Sequence, residues 1–588
     1  MKTKIIYIGI ISFLLGIFSC SNLMDKGPLD KISEEAVWKD LNLAEAYINN
    51  QYKVLPKIGW YDFVRSTQLS CFTDEAAHKY NYWGVTDYRN GAMTPSNTTS
   101  LDVWSYHYGY IKGCNEFLKN IDAIPAATDD DNAKKNRMKG EALALRAWSY
   151  LDLASRYGGV VLITEPFQLN DDFQRDRSSF DETVALVVKD LDDAAALLPD
   201  TYTDSKDWGR LTKGAAMGLK SRILLYAASP LFNKNNDITK WQAAAKAAKD
   251  VIDYANQTGL YGLYGDKNTY KDVFMSMQNN EMMIIRANDP VVDDGYFSYF
   301  QVVEGLGGGI DGNGYCGGWS TTMVSQNLVD AFEMSDGTAF DWNNPVEAAN
   351  PYANRDPRLY VSVTTDGSTW VQDSIVQFWI CEKSNNFTMS QYTNNDFSTP
   401  NGSFIADDNV YGRNSLANPQ QRGNCPETRY IYRKSMDDKY DIDANQYPFP
   451  VSWIIMRYAE ILLNYSEAAF ESGNESEALT YLNKIRARVD MPPVNASGDE
   501  LRQKIRHERQ IELCLEGHRY FDARRWLIAE QEFSKPIYGI SIVKDKNSDT
   551  KIYTPFKFQD RKFPNQYYFQ PIPISEIQKS GIAQNDGY

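Results

Sequence analysis

Over the first 260 positions, apolar residues recur at the spacing of helices buried on one face. Val37, Leu41, Ala44, Ile48, Tyr52 and Leu55 step by three or four and fall on one stripe. Trp104, Tyr108, Ile111, Leu118 and Ile121 make a second. Further helices are predicted over 133–157, 213–228 and 241–254. The run 133–157 stops at Gly158-Gly159, where a glycine can take the turn that closes a helix. Ser179-Phe180-Asp181-Glu182 has the spacing of a capping box ahead of Val184, Val187, Leu191 and Leu198, and Pro199 ends that helix. Trp104, Tyr108 and Trp148 lie on these stripes and are expected in the core.

From about 262 to 450 the texture changes. Helical periodicity fades, and Gly, Asn, Asp, Ser and aromatics dominate, with β-like pieces such as Val361-Ser362-Val363-Thr364. Helices return over 454–472 and 475–489, joined through Gly473-Asn474. Ala478, Leu482 and Ile485 step by four and three, as in half of a tetratricopeptide helix pair. Ser497-Gly498-Asp499-Glu500 reads as a second capping box opening one long helix to about 525. The expected fold is mainly α. It is a tetratricopeptide-like helical repeat superhelix with an irregular, loop-rich subdomain containing a few short strands. The expected divisions are a leader over 1–19, a tether over 20–32, helical regions over 33–260 and 453–588, and the loop-rich subdomain over 261–452.

The N-terminus reads as an address. Lys2 and Lys4 precede an apolar run over 5–18, which is shorter than the roughly 17–25 residues a bilayer requires. The run ends at Ser19-Cys20. A small residue before Cys is the pattern of lipoprotein processing, in which the Cys20 thiol takes the lipid and cleavage falls just before it. An ordinary signal peptide cleaved nearby is the alternative.

Charge narrows the partners. The 588 residues hold 77 Asp+Glu against 61 Lys+Arg, a net −16 without a basic block, which disfavours nucleic acid. Four His residues leave little material for a His-rich metal site, and no cofactor or metal is expected. Beyond Cys20, the cysteines 71, 114, 316, 381, 425 and 514 form no CxxC; Cys114 and Cys514 fall in helical patterns and read as small buried apolar residues.

Glu508, Arg509, Glu512, Glu516, His518, Arg519, Asp522, Arg524 and Arg525 crowd one predicted helix. Steps of three and four suit ion pairs within and between helices better than an acid/base cluster. His507-Glu508 lacks the second His of a zinc motif, because position 511 is Ile. Gly305-Leu306-Gly307-Gly308-Gly309 lacks the Lys-Ser/Thr of a phosphate loop. Carboxylates are plentiful enough for a glycosidase pair, yet nothing in the sequence sets two of them across a sugar.

Aromatics reach 13%, and part of that excess clusters inside loops. Tyr80, Tyr82, Trp83 and Tyr88 alternate with Asn81, Asp87, Arg89 and Asn90, just after Thr73-Asp74-Glu75. Tyr296, Phe297, Tyr299, Phe300, Tyr315 and Trp319 form a second cluster. Flat rings cover the C–H faces of a sugar, while Asn, Asp and Arg bond its hydroxyls. The candidate ligand-binding residues are Tyr80, Asn81, Tyr82, Trp83, Arg89, Tyr296, Tyr299, Tyr315 and Trp319. Packing of the same rings onto the helices is the competing reading.

Several stretches resemble the SusD/RagB family of surface nutrient-binding lipoproteins. They are Arg457-Tyr458-Ala459-Glu460-Ile461-Leu462-Leu463 with Ser466-Glu467-Ala468, and Leu482-Asn483-Lys484-Ile485-Arg486-Ala487-Arg488. Ile505-Arg506-His507-Glu508-Arg509, Glu516-Gly517-His518-Arg519-Tyr520-Phe521-Asp522, Arg525-Trp526 and the tail from Pro571-Ile572-Pro573 to Gln584-Asn585 are similar too. The resemblance implies a non-catalytic, lipid-anchored receptor at the outer-membrane cell surface. It would hold an oligosaccharide or polysaccharide nutrient for a SusC-like TonB-dependent transporter, the loop around Tyr80–Trp83 contributing to the ligand platform. A RagB-like peptide cargo on the same fold is the alternative. A glycoside hydrolase and a tetratricopeptide-type scaffold for other proteins are the readings from other classes.

Overall fold

The computed structural model describes residues 34–56, 67–80, 84–168, 170–171, 174–287, 320–370, 374–381, 411–412, 414–416, 425–436, 452–545 and 548–588. Six N-terminal helices form the first half of the stack: α1 (Leu41–Gln51), α2 (Trp104–Asn120), α3 (Asp129–Tyr157), α4 (Phe180–Leu197), α5 (Lys213–Ala228) and α6 (Ile238–Thr258). Each of α2 to α5 packs on the next. Local chemistry sets their ends. The Asp40 carboxylate captures the N–H groups of Asn42 and Leu43, so the first apolar stripe is interrupted there and α1 starts at Leu41. At α4, Ser179 Oγ accepts from the Glu182 N–H at 3.1 Å, and a Glu182 carboxylate oxygen accepts from the Ser179 N–H at 2.7 Å, the expected capping box. Ser179→Ala is expected to lower stability by about 1 kcal/mol, read in a urea melt. A change under a few tenths would remove the capping role.

The stack continues across the break in sequence. Helix α7 (Gln326–Ala331) comes first, in the loop-rich region, and the stack resumes with α8 (Tyr458–Glu471), α9 (Glu475–Arg488), α10 (Gly498–Glu512) and α11 (His518–Arg525). The N-terminal α6 packs directly on α8, and α8 on α9 and α10. Two buried links lock the halves. Arg222 of α5 makes a fork with Glu460 of α8 at 2.7 and 2.6 Å, and Asn464 donates to Ser221 at 3.2 Å. The two helical regions therefore form one superhelix, a tetratricopeptide-like fold.

Strands β1 (Ala76–His78), β2 (Met282–Arg286), β3 (Thr322–Val324), β4 (Trp453–Arg457), β5 (Ile537–Lys544) and β6 (Lys551–Gln559) lie against this frame. Four expectations need correction. The run 454–472 is not all helix: its buried, β-branched start is β4, antiparallel to β2, and the helix begins only at Tyr458. The predicted helix to 525 is two helices, because the chain turns between them with Leu515 at φ +62° and Gly517 at +84°. Ser497 makes no side-chain cap there. The piece 361–364 is the end of a helix, Pro357–Ser362, followed by a two-residue strand. The β5–β6 hairpin is not among the expected elements, although β5 is buried at every residue from Gly539 to Val543.

Trp104 and Trp148 are buried as expected, and Tyr108 is half-buried. Cys71, Cys114, Cys425 and Cys514 are buried, and burial pushes the Cys114 thiol up to about 12. Cys20, Cys316 and Gly305–Gly309 lie outside the described residues, as do the leader and tether.

Candidate functional site

The charge-dense segment proves to be framework. Glu512 is fully buried. It meets Arg358 at 3.0 Å, Arg457 at 2.5 Å and Arg488. Glu281 bonds Arg457 at 2.7 Å and Arg488 at 2.8 Å. Glu516 takes Arg457 and Lys434 at 2.8 and 2.7 Å. Burial works against the charge on Glu512, but Arg488, Arg457 and Arg358 outweigh it and hold the carboxyl well below its usual range. Burial, then Arg222 and Arg509, drive His518 well below the usual imidazole range, so it stays neutral. Every carboxylate in this set is neutralised by fixed cations, which suits joining of segments rather than proton transfer. Arg358 and Lys434 come from the loop-rich region, so these pairs bind that region to the superhelix.

The roots of the two aromatic clusters meet. β1 and β3 pair antiparallel, with Ala76 opposite Val324 and His78 opposite Thr322. The Lys79 N–H extends the ladder to the Thr321 carbonyl at 3.0 Å. Residue 80 thus leaves the ladder beside residue 320, so two segments far apart in sequence emerge side by side. Tyr80 is half-buried, its ring edge-on to His78 at 6.2 Å and 5.8 Å from Lys79 Nζ. Arg89, on the short helix Val85–Arg89, donates to the Gln559 side chain at 2.7 Å and is half-buried. Asn81, Tyr82, Trp83, Tyr296, Tyr299, Tyr315 and Trp319 lie outside the described residues.

A buried polar knot fixes these roots. Arg519 forks onto Asp74 at 2.9 and 2.7 Å. The Asp74 carbonyl accepts from Ser325 Oγ at 2.6 Å, across 251 residues, and the Glu75 carbonyl accepts from the Ser325 N–H at 2.9 Å. Ser325 also caps α7. Arg561 donates to the carbonyls of Thr73, Cys71 and Ala76. The Glu75 side chain, beneath β1, accepts from Ser70 Oγ at 2.7 Å and from the Leu515 N–H at 3.3 Å. Burial pushes its carboxyl up to about 8. Burial likewise lowers His78 to about 4 and Lys79 to about 8. Asp74, Glu75, Ser325 and Arg561 are site supports that the sequence pattern does not single out. Their only signal was the Thr73-Asp74-Glu75 run beside the cluster. Among the described residues, no group of His, Cys, Asp and Glu is arranged to hold a metal ion.

A stack of paired helices thus carries two loop roots that are held side by side on one short ladder. The sequence model of the SusD family matches residues 274–588, and a second model, described as starch-binding associating with outer membrane, matches residues 29–225. The chain belongs to the SusD family. It is 24% identical to SusD-like protein P38 of Formosa agariphila over 551 residues, 89% of this chain and 91% of that one. A solved SusD-like protein from Bacteroides fragilis shares 27% identity at a TM-score of 0.76, covering 96% of this chain and 100% of its own. A solved laminarin-binding SusD-like protein shares the fold at 19% identity and a TM-score of 0.63, over 94% of this chain and 100% of its own. No helix among the described residues is long and apolar enough to cross a membrane.

Proposed function

We propose that this protein is a non-catalytic glycan receptor, anchored through Cys20 on the outer-membrane cell surface, that passes an oligosaccharide to a SusC-like TonB-dependent transporter. The observation that carries the reading is the shared ladder. It brings the root of the segment bearing Tyr80, Asn81, Tyr82 and Trp83 against the root of the segment bearing Tyr296, Tyr299, Tyr315 and Trp319. Rings contributed by both segments can then serve one sugar chain, with amide and guanidinium groups at its hydroxyls. The neutralised carboxylates around Glu512 support binding without bond cleavage. Family membership and the starch-binding model over residues 29–225 support the cargo class and the location.

Calorimetry against laminarin, starch and xylan tests this. One stacked ring is worth about 1 kcal/mol, so Trp83→Ala and Trp319→Ala are each expected to weaken binding roughly five- to tenfold. Unchanged affinity in both variants would sink the platform. Release of reducing ends by the purified protein would replace it with a hydrolase.

A further inference from the structure

A separate cleft of about 450 Å³ opens where α4 ends, α5 begins and α6 ends, beside β2. Its volume lies within the range of small-ligand sites. Tyr202, Trp208 and Tyr261 contribute rings to its lining. The two phenol hydroxyls are fixed: Tyr202 donates to the Leu211 carbonyl at 2.9 Å, and Tyr261 shares a 2.8 Å hydrogen bond with Thr212. Trp208 is half-buried against the apolar cluster containing Met282 and Ile285, and its indole makes no hydrogen bond among the described residues. Gly209, at φ +90°, makes the turn that follows it; a Cβ there would come within 3.1 Å of the Ala287 side chain.

The polar part of the lining is equally specific. Gln278 and Asn280 are exposed and their amides are unengaged among the described residues. Asp204 spends one carboxylate oxygen on the Lys206 N–H, leaving the other available. Arg210 is the one cation among the described lining residues, and it is already held by Asp207 at 2.5 Å and Glu141 at 3.2 Å. Aspartates without a free cation repel sulfate, phosphate and uronate groups. They accept readily from hydroxyls. Rings for C–H faces, free amides for hydroxyls and an anion-repelling lining together select one ligand class.

We propose that this cleft binds a neutral sugar segment of the glycan, as a second contact on the same chain. The inference rests on the glycan reading of the loop platform and adds a site outside it. Two contacts on one polymer make the second effectively intramolecular, so long chains gain more than short ones.

Affinity electrophoresis of the full chain in gels containing laminarin, starch, xylan or anionic alginate tests this. Trp208→Ala, and separately the surface pair Gln278→Ala with Asn280→Ala, are each expected to weaken retardation by a neutral polysaccharide about tenfold, the surface pair with the thermal melt unchanged. If Trp208→Ala unfolds the protein, the surface pair decides. Undiminished retardation in the variants, or no retardation of the wild type by any neutral member, overturns the cleft. Alginate retardation that depends on Trp208 overturns its neutral specificity. If Trp83→Ala with Trp319→Ala leaves retardation intact while the cleft variants abolish it, the loop platform falls and the cleft stands.

Discussion

Glu512→Ala is expected to cost about 3–5 kcal/mol of folding stability, enough to leave much of the protein unfolded at growth temperature. The reason is asymmetric. The pairs that Glu512 makes with Arg358, Arg457 and Arg488 contribute little net energy over a well-packed apolar core, because desolvating the ions consumes most of the attraction. Removing the anion alone takes one carboxylate from three guanidiniums whose side chains are each at most 2% exposed. Glu281, Glu508 and Glu516 stay behind and soften the loss, which is why it does not scale with the number of cations. Urea denaturation of the purified variant measures this. A midpoint within about 1 kcal/mol of wild type would mean that Glu512 is not structural, and would reopen the acid/base reading of the segment.

That expectation shows where the sequence was readable and where it was not. The pairing of Glu512 with basic residues follows from helical spacing, but its actual partners lie on other elements, two of them in strand β4 and in the loop-rich region. Helix α5 was legible to the residue, because a run of mostly small and apolar residues, buried over most of its length, lies between Thr212, which caps its start, and Ser229, and both ends are local. Strand β4 was not, because Trp453–Arg457 is buried and continues without a break into a helical stripe; only its antiparallel partner Met282–Arg286 separates the two states. The break at Leu513–Gly517 likewise serves distant groups, since it lets the Leu515 N–H reach Glu75 and Glu516 reach Arg457. The candidate site divides in the same way. The aromatic clusters could be seen as composition. The ladder that joins their roots is a tertiary fact with no local signature, because β1 and β3 are three residues each and far apart in the chain.

Glu75→Gln is expected to flatten the dependence of stability on pH, most clearly between pH 6.5 and 8. Burial raises the folded Glu75 carboxyl to about 8 from an ordinary value near 4.5, so between these values the folded protein holds a proton that the unfolded chain has lost. The stabilising contribution of the protonated group is complete below about pH 4.5 and falls by roughly 1.4 kcal/mol per pH unit until the folded group ionises near pH 8. The charged groups facing it are Asp74, which raises the carboxyl further, and Arg519, which lowers it; the Ser70 and Leu515 hydrogen bonds also lower it. Its neighbours on the ladder root titrate outside the chosen window. His78, depressed to about 4, adds a rise in stability with pH only up to about 6.5, and Lys79, depressed to about 8, adds one only above about 8. Between pH 6.5 and 8 the wild type should therefore lose about 2 kcal/mol relative to Glu75→Gln, measured by chemical denaturation of both proteins at each pH. Glutamine keeps the shape and can still accept from Ser70 and Leu515, so the variant is expected to match or exceed wild-type stability at pH 8. Parallel curves for the two proteins across this window would show that Glu75 is already ionised in the fold. The carboxylate would then be balanced by Arg519, and the knot beneath the two loop roots would be an ion cluster like the one around Glu512 rather than a protonated joint.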